Sequence, residues 1–69
     1  MNMRTDVILD GRDYTIEFNF DWVEEEIHVN IVSVVDDLTG LDRWGEDEFI
    51  DRHADAIRAE CVQFLNENY

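Results

Sequence analysis

GEDEFIDRHADAIRAECVQFLNEN, residues 45–68, decides the fold. Apolar or small residues recur at Phe49, Ile50, His53, Ala54, Ile57, Cys61, Phe64 and Leu65. Steps of three and four place them on one side of an α-helix. The opposite side carries Asp47, Glu48, Asp51, Arg52, Asp55, Arg58, Gln63 and Glu67. No proline or internal glycine interrupts the run. Glu46, Asp47 and Glu48 bring negative charge to the positive end of the helix dipole. The spacing predicts a helix over residues 46–66. It also sets Asp47, Asp51 and Asp55 at successive i, i+4 positions. Side chains so placed lie about 5–6 Å apart, and each like-charged pair costs about 0.2–0.5 kcal/mol. Folding gains nothing from that row. It suits a solvated face or a basic partner.

Upstream, the period changes from helical to alternating. DVILD (Asp6–Asp10) and DYTIEFNF (Asp13–Phe20) flank Asp10-Gly11, a two-residue hairpin signal. Tyr14, Ile16, Phe18 and Phe20 share one face; Thr15, Glu17 and Asn19 share the other. A loop at Asp10-Gly11 sets Val7 opposite Tyr14 and Leu9 opposite Arg12, adding Val7 and Leu9 to the apolar face. The preceding residues, Met1–Thr5, read as a short frayed start. DWVEEE (Asp21–Glu26) reads as a charged loop in which Trp22 and Val23 either fold over the core edge or are presented. IHVNIVSVV (Ile27–Val35) is the third strand. Unbroken alternation gives Ile27, Val29, Ile31 and Val35 one face, and His28, Asn30, Val32 and Val34 the other. Two exposed valines there would form an apolar patch, through which a homodimer could assemble. DDLTGLDRWG (Asp36–Gly45) reads as a loop turning at Gly40, with Trp44 just before the helix and Asp42 as N-cap if the helix starts early. The expected architecture is α+β: a three-stranded antiparallel sheet over residues 6–10, 13–20 and 27–35, packed against the C-terminal helix as one small domain of residues 1–69.

The chain has 69 residues, enough for a thin core that buries about 60% of the unfolded surface. A deep substrate cavity is not expected at this size. Eighteen acidic residues face five arginines and no lysine, for a net charge of −13. Direct binding to nucleic acid or to an anionic membrane is excluded on that balance. A partner chosen by electrostatics is basic. The same acidity also serves solubility or tolerance of high salt. A single cysteine forms no internal disulfide. Met1–Asp10 holds no apolar run of signal-peptide length, and no stretch is long enough to span a membrane. A cytoplasmic location is the expectation.

Chemistry-bearing patterns are sparse. Cys61 and His53 share the inner helix stripe, but eight residues separate them by about 12 Å, beyond the reach of a nucleophile–base pair. His28 has no catalytic partner in the pattern. From Asp37 onward, the oxygen-ligand spacing of a calcium loop fails at Leu41. No zinc spacing, phosphate-binding glycine loop or nucleophile elbow occurs. The reading is therefore of a non-enzyme without metal or cofactor.

What remains is the acidic constellation. Asp13, Glu17 and Asp21 recur on the outer face of the second strand. Glu24, Glu25 and Glu26 form a block, followed by Asp36 and Asp37, Asp42, Asp47 and Glu48, then Asp51 and Asp55. Fixed carboxylates in such rows can pair with arginines and lysines that otherwise hold phosphates. Trp22 and Trp44 are the candidate aromatic anchors.

The order VILDGRDYTIEFNF, acidic loop, IHVNIVSVVDDLTG, acidic amphipathic helix resembles small acidic proteins of bacteriophages and prophages. Among these are DNA mimics: anti-CRISPR and anti-restriction proteins and uracil-DNA glycosylase inhibitors. The resemblance is one of layout and charge, and no functional residue carries over by motif. It implies an inhibitor acting inside a bacterial host, aimed at the basic groove of a nuclease or interference complex. Two other expectations stand beside it. One is an immunity protein or antitoxin that neutralises a basic toxin. The other is an accessory domain whose acidity serves solubility.

Overall fold

The computed structural model describes residues 2–68. Three strands, β1 (Met3–Leu9), β2 (Arg12–Val23) and β3 (Glu26–Asp36), precede one helix, α1 (Asp47–Asn68). The sheet is antiparallel in the order β1-β2-β3. The alternating apolar row of β2 lies under the helix stripe. Val7, Leu9, Tyr14, Ile16, Phe18 and Val34 of the sheet pack with Phe49, Ile57, Cys61 and Leu65 of α1 in one core. Tyr14 tilts against Phe49 with centroids 5.4 Å apart, and Phe64 meets Phe18 edge-on at 5.9 Å. Both are favoured aromatic geometries.

The first hairpin has the expected register, with Val7 opposite Tyr14 and Leu9 opposite Arg12. Asp10 and Gly11 both take positive φ, 51° and 78°. That is the requirement of the tight hairpin turn whose twist matches the strands. Met3 pairs with Phe18, so the residues expected to fray are laddered from Met3 onward; Met1 lies outside the described residues.

Three expectations are overturned. The first concerns the stretch 21–26, which is not a loop. β2 runs on through Val23, and Glu26 already pairs with it. Only Glu24 and Glu25 form the turn, with φ of 52° and 68°. Three glutamates argue against a strand locally. Cross-strand pairing of Trp22 with Ile27 and of Phe20 with Val29 outweighs that preference.

The second concerns β3, whose alternation is broken. Glu17 pairs with Ser33 while Phe18 pairs with Ile31, so Val32 is an extra residue in β3, a β-bulge. Parity flips beyond it. Val34 enters the core, completely buried, and Val35 turns to the opposite face. The outer patch expected of Val32 and Val34 therefore does not exist; only Val32 is exposed. The dimer argument loses its basis with it.

The third concerns Asp42, which does not cap the helix. Its Oδ1 accepts hydrogen bonds from the backbone N–H groups of Val34 (3.1 Å) and Trp44 (3.0 Å). The Glu46 carbonyl accepts the first helical bond, from Ile50 N–H at 3.0 Å.

The connection from β3 to α1 is ordered by Asp36, which the flipped parity carries inward. Its side chain is 1% exposed. Oδ1 accepts from the N–H groups of Leu38 (2.9 Å) and Thr39 (3.4 Å). Oδ2 makes no aligned hydrogen bond but lies 3.1 Å from Arg12 Nη2, an ion pair. Gly40, at φ 74°, lets the chain reverse. Residues 41–43 then pair back along the outer edge of β3, through Asp36 N–H to the Leu41 carbonyl (2.9 Å) and Arg43 N–H to the Val34 carbonyl (2.8 Å). That short return covers the end of an otherwise open sheet edge.

Two outcomes follow. Non-glycine residues at left-handed φ are strained by about 1–2 kcal/mol each, so Glu24→Asn with Glu25→Gly will stabilise the chain by at least about 1 kcal/mol. Thermal unfolding at high salt, which screens the charge change, should show a Tm higher by about 4–8 °C. Asp36→Ala orphans two N–H groups and Arg12 together, and will destabilise by about 2 kcal/mol. Asp36→Asn keeps the Oδ1 acceptor and will lose less; urea titration of both variants measures the difference.

Candidate interaction surface

The sheet divides the acidic residues between two sides of the molecule. Alternation in β2 sends Tyr14, Ile16, Phe18 and Phe20 to the helix, and Asp13, Thr15, Glu17, Asn19 and Asp21 away from it. On that outer face a polar ladder crosses all three strands. Asn30 Nδ2 donates to Asn19 Oδ1 (3.1 Å), and Asn19 Nδ2 donates to Asn2 Oδ1 (3.2 Å). Glu17 accepts from Asn2 (3.1 Å) and pairs with Arg4 (3.0 Å). An ion pair this open to water contributes about 0–1 kcal/mol. Nearby, the Thr15 hydroxyl lies 2.7 Å from Asp37 Oδ1 and 3.3 Å from Asp6 Oδ1. It has one proton to give, and the shorter contact marks Asp37 as the acceptor.

The other side is the outer surface of α1. Asp47, Glu48, Asp51 and Asp55 are all exposed there. Asp47 and Glu48 sit in the first turn, where the dipole favours them. Glu24, Glu25 and Glu26 are exposed at the second hairpin turn, at one end of the sheet.

The basic residues are largely spent on local partners. Arg12 faces Asp36, Arg43 grips Glu46 through two nitrogens, and His53 Nε2 lies 3.6 Å from Asp10 Oδ2. The Glu46 carboxylate holds the Arg43 guanidinium above its usual pKa. Arg58 donates to the Val29 carbonyl on the β3 edge at 3.0 Å. Arg12, Arg43, Arg52 and His53 line one depression of about 520 Å³ beside the start of α1, mixed with Asp10, Glu46, Glu48 and Asp51. That region is close to neutral. Asp13, Asp21, Glu24, Glu25, Asp47, Glu48, Asp51 and Asp55 have no cationic partner among the described residues.

The expected surface set is thereby sorted. Asp36 is buried and out of any partner's reach, and the Asp42 carboxylate is engaged by the backbone. Glu17 is half-buried and ion-paired. The remaining carboxylates are presented, on the helix, on the outer sheet face and at the turn. Of the two aromatic candidates, Trp44 packs partly buried against the core, while Trp22 is 66% exposed. Trp22 extends the inner row Tyr14–Ile16–Phe18–Phe20 by one more step. Period-two reading carried past Phe20 would have placed it there. The role of Asp36 had no such signal, because it depends on the bulge at Val32.

What this surface offers chemically is exposed carboxylates held on regular backbone. Among the described residues, no group of three or more His, Cys, Asp or Glu side chains is arranged to hold a metal ion. Among the same residues, no helix is long and apolar enough to cross a membrane. Cys61 is completely buried, and that desolvation pushes its thiol pKa up to about 12. The protonated thiol is what the fold accepts. Stability is unaffected below the unfolded-state pKa, which is about 8.5. Above it the unfolded chain loses the proton while the folded chain keeps it, so this contribution declines from there toward pH 12. Native protein at pH 8 should resist a thiol reagent such as Ellman's and react within seconds of unfolding in denaturant. Cys61→Ala should flatten the stability curve between about pH 9 and 11.

Set against known proteins, the chain matches no family model, no curated protein and no solved structure.

Proposed function

We propose that this chain is a non-enzymatic inhibitor that occupies the basic DNA-binding groove of another protein by mimicking DNA. The target class is a host defence or nucleic-acid-processing protein, and the setting is the cytoplasm of a bacterium infected by the phage that encodes the chain. The observation that supports this reading best is linear charge density. The backbone extends 36 × 23 × 20 Å, and eighteen acidic residues along 36 Å amount to one per about 2.0 Å. Duplex DNA carries one charge per about 1.7 Å of axis. The net charge of −13 still leaves one per about 2.8 Å.

The placement of the carboxylates supports the same reading. They project from both sides of the sheet, so a groove closing around the molecule would meet negative charge on both walls. β2 and α1 hold the rows on regular backbone, so little ordering entropy remains to be lost on binding. Arginine forks in the target can take carboxylates in two-pronged pairs as they take phosphates. A field of this strength also speeds encounter with a basic partner and weakens with salt.

The test uses the immobilised chain and a bacterial lysate cleared of nucleic acid. A DNA-binding protein should be captured at low salt and released by added duplex DNA or by high salt. Asp47→Lys, Asp51→Lys and Asp55→Lys together touch only exposed positions, so the fold should persist by circular dichroism. Affinity for the captured protein should fall about ten-fold or more. Capture of one small basic protein that DNA does not displace would instead identify an immunity protein or antitoxin. Unchanged binding by the triple variant would overturn the role of the helix row.

A further inference from the structure

The Glu24-Glu25 turn between β2 and β3 lies at the end of the sheet farthest from the Asp10-Gly11 turn. Phe20, Trp22, Ile27, Leu65 and Asn66 line a depression of about 320 Å³ there. Trp22 stands on its rim, on the same face as Phe20, with its ring largely in water. An exposed indole beside buried apolar neighbours is the usual form of an interface anchor, not of a surface chosen for solubility.

Three independent sources make this end negative. Glu24, Glu25 and Glu26 follow Trp22 within four positions, and all are exposed. Among the described residues, the only basic side chain paired with any of them is His28, 4.0 Å from Glu26. The second source is Asp21, exposed on the opposite face of the same strand segment. The third is the C-terminal end of α1, which carries the negative pole of the helix dipole. No basic residue lies in its last turn. Asn68 Nδ2 caps the Phe64 carbonyl at 2.9 Å, which satisfies one acceptor and adds no charge. The turn that sets the glutamates here is itself strained. Asn-Gly would fit those dihedrals better, yet the chain carries two carboxylates instead.

We infer that this open end is the docking point for an arginine of the partner protein, stacked on Trp22 with its guanidinium directed to Glu24 and Glu25 and to the end of α1. The inference rests on the proposed function and adds a specific contact to it. Arginine fits better than lysine because its plane stacks on an indole while its edge still donates hydrogen bonds to carboxylates. Its alkyl stem covers apolar surface at Ile27 and Leu65. The carboxylate rows would then set general attraction, and the Trp22 end would fix the register of the complex.

The experiment titrates the full chain with a hexa-arginine peptide, and separately with hexalysine, and follows backbone and indole N–H shifts by NMR. The two tryptophans give one indole signal each, so the Trp22 end is read separately from the half-buried Trp44. With hexa-arginine, the largest shifts should fall at Trp22, Ile27, Leu65 and Asn66. Trp22→Ala should weaken the peptide by about two- to five-fold, the size of an exposed cation–π contact, and Trp22→Tyr should restore most of it. Hexalysine should bind Trp22 more weakly by a similar factor. Shifts spread evenly over Asp47, Asp51 and Asp55, or equal affinity in Trp22→Ala, would overturn the docking point while leaving the DNA-mimic reading intact. That reading stands or falls on capture and on displacement by duplex DNA.

Discussion

The burial of Ile16, Phe18 and Val34 against Ile57 and Cys61 is the contact on which the rest of this molecule depends, and none of the five retains any exposed surface. In a chain of 69 residues there is no second core to compensate if that strip fails. Each of these side chains is worth about 1.5–3 kcal/mol when fully buried, if it is a valine or larger. A total stability of a few kcal/mol therefore rests on very few groups. The strip also determines which residues face outward. Once β2 commits its even-numbered apolar residues to α1, Asp13, Glu17 and Asp21 have no choice of face.

The charge works against this core. With −13 to accommodate, the fold spends four of its cationic groups on local partners: Arg4 on Glu17, Arg12 on Asp36, Arg43 on Glu46 and Arg58 on a β3 carbonyl. The carboxylates so paired are mostly those that touch the body of the protein. Among the described residues, Asp47, Glu48, Asp51 and Asp55 on the helix exterior and Glu24 and Glu25 at the second turn have no cationic partner and are held apart on different surfaces. Separation limits the self-repulsion that a single dense patch would suffer. It also gives the molecule charge on opposite sides.

The bulge at Val32 links the core to the connection that follows. One extra residue in β3 turns Val34 inward and brings Asp36 under the sheet end. There its carboxylate organises the turn over residues 37–40. Asp42 then ties the returning chain to the β3 edge through Val34 N–H, and Trp44 closes over the core before the helix begins. Two carboxylates that look in the sequence like more surface acid are thus structural.

What the sequence by itself determined were the features with local causes. The helix follows from apolar steps of three and four. The first hairpin follows from Asp10-Gly11 between alternating strands, and the antiparallel sheet under one helix follows from the two periods together. The exposed row Asp47, Asp51, Asp55 was equally legible, because a helix face is fixed by spacing alone. The tertiary structure decided whatever required a partner strand. It turned DWV into strand and left Glu24 and Glu25 as a two-residue turn, since pairing Trp22 with Ile27 outweighs the poor strand preference of glutamate. It also placed the bulge, because register is a property of two strands and cannot be read from one. With that single shift it exchanged the faces of Val34 and Val35 and withdrew Asp36 from the surface.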